Sequence, residues 1–321
     1  MKIFVVICLF LTLLNAQNSE HVTLVYITDT TIENHGSFPL TRDVYAEYIE
    51  SIYKNYSPKV VYINVTIDSL DKNNLEKDTE LFEAVLHHKK IVFTGLLSEH
   101  KVASHLYESQ QISKRDINRE LKENTGAYLP VPEIMSSGGH FGIYNTVSDQ
   151  EGKTVAFPFV YDVDKHIYPS VLLKLVSLYK DLNASDLQLD NTSVLIDTYE
   201  VNKNIVDGYY VPSLVYEFDT FSYEDILNAT VDKRYIDGRI ILLGIDATGI
   251  KKTFPTSKDL RFETTKYLAN TVESLLNEPK FNLDTYMVLG YGRYLLYITI
   301  LVLMGMMFYM LNVIVKNKRG T

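Results

Sequence analysis

Three near-continuous apolar runs, separated by two helix-period segments, limit what this chain can fold into. The runs are HVTLVYITD (residues 21–29), KVVYINVTID (59–68) and KIVFTGLL (90–97). Between the first two, RDVYAEYIESIYKNY sets Val44, Tyr45, Tyr48, Ile49 and Ile52 at a helical period, and DTELFEAVLHHK separates the second from the third. Strands without polar alternation are buried on both faces, so this order predicts an α/β fold with a mainly parallel sheet covered by helices on both faces. Residues 98–127 are polar and read as an exposed excursion. GGHFGIYNTVSDQEGKTVAFPFVYDVDKHIYPS adds an antiparallel hairpin region, followed by the helix SVLLKLVSLYKDL. The last part holds YVPSLVYEF, a short helix SYEDILNA, the strand RIILLGIDA and a helix from Thr264 to Leu276.

The two ends carry a different signal. Lys2 precedes an apolar run from Phe4 to Leu14, too short to span about 30 Å of hydrocarbon. It reads as a signal peptide ending near Ala16, or as a short anchor, because Leu14 stands where cleavage prefers a small residue. Residues 294–315, YLLYITILVLMGMMFYMLNVIV, are uncharged and long enough for one C-terminal transmembrane helix. Lys316, Lys318 and Arg319 follow it and place a cytoplasmic tail, 316–321, inside, with the domain at 21–285 extracytoplasmic. The one cysteine, Cys8, lies inside the leader, so the mature domain has no disulfide, thiol catalyst or thiolate metal site. A net charge of -9 gives no basic footprint for nucleic acid.

Enzyme motifs were tested against the spacing their chemistry needs. DGRIILLGIDATGIKKTFPTS (237–257) has the outline of a phosphate loop, but Ile250 follows Gly249 where a P-loop needs Lys and then Ser or Thr. Asp246 stands where the dinucleotide pattern needs its second glycine, and its carboxylate would repel a pyrophosphate. His140, Ser148 and Asp149 lack the G-x-S-x-G elbow that exposes a nucleophilic serine. His87 and His88 are adjacent and point to different helix faces, and no H-E-x-x-H occurs. The reading is a non-enzyme with no cofactor and no metal.

The order of motifs from residue 21 to 280 resembles a CHASE domain of the second type, a sensory module of transmembrane signalling proteins. The resemblance rests on Asp29, Thr31, Gly36, FPLTRDVYA with Pro39 and Arg42, and Tyr45. It continues through Asp68, His140, Gly142, Asn145, Asp149 and Gly152, then Tyr168-Pro169-Ser170, Gly238 to Gly244, Thr248 and TFPTS, and Ala269-Asn270. It implies an extracytoplasmic sensory domain. The chain departs from the family in having no Trp, and in ending after one predicted span where family members continue into several spans and an output domain. A receptor-like subunit that signals through a separate partner is therefore expected, or an assembly component that keeps the domain as an interaction surface.

Asp29, Asp68 and Asp246 each fall at the end of a predicted parallel strand, the edge where open α/β sheets bind ligands. With Thr31, Arg42 and Thr248 they form the candidate ligand site, for a small polar ligand or a cation. The competing reading is that Asp caps the following helix and Arg42 pairs with an acid. Sequons begin at Asn55, Asn64, Asn183, Asn191 and Asn228, with Asn64 inside a predicted core strand. Gly305, within the predicted span, suits pairing with itself or another membrane helix.

Overall fold

The computed structural model describes residues 17–36, 38–100, 107, 111–113 and 116–277. The predicted leader, the predicted span at 294–315 with Gly305, and the tail lie outside the described residues. Among the described residues no helix is long and apolar enough to cross a membrane. The chain divides into a unit Met1–Pro279 and a unit Lys280–Thr321, the second wholly outside the described residues.

A seven-stranded sheet forms the centre of the first unit. Its strands are β1 (Val22–Thr28), β2 (Val60–Ile63), β3 (Ile91–Ser98), β4 (Gly126–Tyr128), β5 (His140–Ile143), β6 (Thr220–Ser222) and β7 (Ile240–Asp246). They run in the order β6-β1-β7-β2-β3, and β3 pairs with parallel β5 along its first half and antiparallel β4 along its second. The helices are α1 (Asp29–His35), α2 (Arg42–Asn55), α3 (Leu75–His87), α4 (Pro132–Ser136), α5 (Val171–Lys180), α6 (Tyr223–Leu227) and α7 (Thr264–Leu276).

Alternation along each strand divides the core into two layers. Leu24, Tyr62, Val92 and Leu242 meet α5 and α7 on one face. Val25, Val61, Phe93 and Leu243 meet α2, α3 and α6 on the other. Two glycines let helices approach the sheet. A Cβ on Gly142 would fall 2.4 Å from the Val171 Cα, and one on Gly244 would fall 2.4 Å from the Thr265 hydroxyl.

The expected fold class, a mainly parallel sheet with a C-terminal span, is corrected in its sheet by this topology, and among the described residues no helix supplies the span. Among the described strands eight pairings are antiparallel and seven parallel, so the sheets are mixed. All of the antiparallel pairings but that of β3 with β4 come from small ladders outside the central sheet, such as Leu187–Leu189 with Val194–Ile196 and Tyr199–Val201. Each of those strands is three residues long, too short for a two-residue period to show in sequence. Their turns rest on left-handed Asp197, Asn204, Asp207 and Gly208, with Asp207-Gly208 joining Ile205–Val206 to Tyr209–Tyr210. The polar excursion is corrected as well, because Ile112 and Ile117 are buried in the α5/α7 layer.

Candidate functional site

The six candidate residues divide among separate local partners along the sheet. Thr28, the last residue of β1, caps α1 in a reciprocal box with Thr31, so Thr31 is buried and bonded within its own helix. Asp29 is thereby left on the first turn, and its two carboxylate oxygens accept from the Thr248 backbone N–H and hydroxyl, both at 2.8 Å. Asp246 ends β7 and pairs with Lys251 at 2.9 Å. Arg42 pairs at 3.5 Å with Asp78 of α3, an acid that was not singled out in the sequence and whose side chain is 2% exposed. Asp78 also accepts from the Asp71 N–H at 2.6 Å. Asp68 lies beyond the end of β2 in an exposed turn, where it accepts from the Ser69 hydroxyl at 3.4 Å. Asp29 and Thr248 are therefore brought together, and Asp68, Arg42 and Thr31 are held elsewhere by their own partners.

Behind these strand ends lies a buried polar layer. Glu263 caps α7, accepting from Thr265 N at 2.6 Å and Lys266 N at 2.7 Å, and also accepts from the Tyr26 hydroxyl at 2.6 Å. Burial first, and then the Glu263 charge, hold the Tyr26 phenol far above its ordinary pKa, so it stays a donor. Tyr62, Thr94, Asn64 and Thr265 continue the layer through hydroxyl and amide bonds of 2.7–3.3 Å. These bonds fix α7 to the sheet.

An open cleft lies further along the same edge, where parallel β3 and β5 end. Two adjoining cavities, of about 340 and 470 Å³, share Leu97, Lys122, Asn124 and Asn145 and form one cleft. Its apolar wall is Leu121, Val147, Pro158 and Val160, its aromatic wall Tyr161 and Tyr209, and its polar rim Glu99, Lys122, Glu123 and Asp162. The geometry is held from the backbone outward. Asn145 follows β5 and accepts from the Leu97 N–H at 2.9 Å, which ties the two strand ends together. The Tyr161 hydroxyl bonds the Asn145 carbonyl and accepts from the Asn145 N–H at 3.1 Å. Asn124 donates to the Asp162 carbonyl at 2.9 Å. Arg119 stacks over Tyr209 at 4.2 Å and donates to the Asp207 carbonyl, which anchors the turn carrying that ring. Burial raises the Tyr161 phenol well above its ordinary range, so it lines the cleft as a neutral group.

A cleft with amide donors, a lysine, carboxylates and two ring faces can bind a small polar molecule that has an apolar part. Neither histidine nor cysteine lines it, and among the described residues no group of three or more His, Cys, Asp or Glu could hold a metal. Of its lining only Asn145 was singled out in the sequence. The rule that ligands sit at strand ends was applied there to strands ending in Asp. The same rule applied to β3 and β5 leads to Leu97 and Asn145.

Compared with known families, residues 8–307 match the CHASE2 domain, and the chain belongs to that family of extracytoplasmic sensory domains. Neither the curated proteins nor the solved structures compared with the chain give a match.

Proposed function

We propose that this CHASE2 chain is the sensory part of a membrane-held receptor that takes a small polar ligand in the cleft at the ends of β3 and β5. Family membership supports the sensory role. One observation carries the choice of site: the cleft opens at the strand-end edge and its walls come from both strand ends. The apolar segments at residues 4–14 and 294–315 support membrane attachment.

Ligand binding only to the folded state raises stability by RT ln(1 + [L]/Kd), about 2.7 kcal/mol at a hundredfold excess over Kd. The full-length protein in detergent is therefore screened by thermal unfolding against small polar metabolites, alongside Thr146→Phe. Thr146 lines the cleft and is half-buried. A compound that stabilises the parent protein and has no effect on a folded Thr146→Phe supports the reading. Equal stabilisation of both proteins, or no stabilising compound, counts against it.

A further inference from the structure

The five sequons stand in different environments. Asn64 is closed off: its amide donates to the Thr265 hydroxyl at 3.3 Å, and its carbonyl oxygen accepts from Tyr62 at 3.1 Å and Thr94 at 3.3 Å. A sugar on that nitrogen would have to occupy the contact between β2 and the start of α7. Asn55 is half-buried in the last turn of α2. Asn183, Asn191 and Asn228 are exposed.

Each of the exposed three sits where the chain turns. Asn183 lies just past α5; its side-chain oxygen accepts from the N–H of Ser185, the hydroxyl residue of its own sequon, at 3.2 Å, and its amide nitrogen donates at 2.8 Å to the exposed Asp186 carboxylate, a surface partner and not a core contact like that of Asn64. Asn191 lies in the turn between Leu187–Leu189 and Val194–Ile196, where Asp190 accepts from Thr192 N at 2.7 Å and Ser193 N at 2.6 Å. Asn228 closes the C-terminal end of α6 and is followed by Ala229 at φ 53°. These turns hold the asparagine outward and need no unfolding to carry a bulky group.

We propose that Asn183, Asn191 and Asn228 are N-glycan acceptors and that Asn64 is not. The acceptor chemistry is transfer from a polyprenyl-pyrophosphate-linked oligosaccharide. The side-chain amide nitrogen attacks the anomeric carbon, a C–N bond forms and the C–O bond to pyrophosphate breaks. The amide loses a proton, and the lipid pyrophosphate leaves with the electron pair. Two of the three sites lie at the edge opposite the cleft. Asp181, beside Asn183, pairs with Lys59 at 2.6 Å and with Lys90, the residues that precede β2 and β3. The turn after Asn228 bonds through Val231 N to the Tyr56 hydroxyl at 3.2 Å, just past α2. Sugars at these two positions leave the strand-end edge free for ligand.

The proposal rests on the exported placement given under Proposed function. Full-length protein is purified from the cells that make it naturally and treated with peptide N-glycosidase in water labelled with heavy oxygen, and its peptides are sequenced by mass spectrometry. Heavy-oxygen aspartate at 183, 191 and 228, with unmodified Asn64, is the expected result. Unmodified asparagine at those three positions overturns the proposal, as does a glycan on Asn64 of folded protein. The N-terminal peptide separates the two ideas. A chain trimmed near Ala16 but free of sugar is exported and defeats the glycan proposal alone; an untrimmed, sugar-free chain also defeats the glycan proposal and leaves export resting on the anchor form of the leader.

Discussion

At the scale of single residues, stability concentrates where charge is buried. The Asp78 carboxylate is almost completely enclosed and its ionic partner is Arg42. Removing one member of such a pair leaves an uncompensated buried charge. Arg42→Ala is expected to cost about 3 kcal/mol, measured by chemical denaturation. Asp29→Ala loses only exposed bonds to Thr248, and about 1 kcal/mol or less is expected. His140 gives a pH dependence. Burial first, then Lys174 of α5 and Lys90 before β3, hold its imidazole down to about 4. The unfolded chain takes up that proton near pH 6.5, so between there and about pH 4 the unfolded state binds more protons and stability falls as the pH is lowered. The slope from this one group is at most about 1.4 kcal/mol per pH unit. His140→Asn is expected to flatten denaturation midpoints across that window, and an unchanged slope would show that other groups govern it. Of these residues Arg42 is legible in the sequence through the family motif FPLTRDVYA that carries it. Asp78 is not, since an acid on the first turn of an amphipathic helix looks like any solvated one.

At the scale of elements, length decided what the sequence revealed. β1, β3 and β7 are seven or eight residues long, and their unbroken apolar character marked them. α7 spans Thr264–Leu276, where its periodicity places it. The short ladders after residue 180 carry too few residues for a period, and with the antiparallel pairs before it they make the sheets mixed where a mainly parallel one is expected. α7 also shows how an element is held by its cap. Glu263 serves two helix N–H groups and Tyr26 together. Glu263→Ala is expected to cost about 2–3 kcal/mol, and Glu263→Gln less, because a neutral amide oxygen still accepts. Equal losses would mean that packing of the side chain, not its acceptance of bonds, holds the helix.

At the scale of the whole molecule, the central sheet presents the ends of β1, β7, β2, β3 and β5 at one edge. The acidic strand ends at Asp29 and Asp246 are legible in the sequence. The cleft lies where β3 and β5 end, under chain segments around 122–125, 145–147 and 158–162. Those segments are far apart in sequence, and only tertiary structure brings them together. Hydrogen exchange of the full-length protein, with and without a compound that stabilises it, tests this account most directly. Slowed exchange confined to residues 97–99, 122–125, 145–147 and 158–162 is the predicted result. Protection at residues 28–31 and 246–248 with none at the cleft would contradict it and return the ligand to the acidic end of β1 and β7.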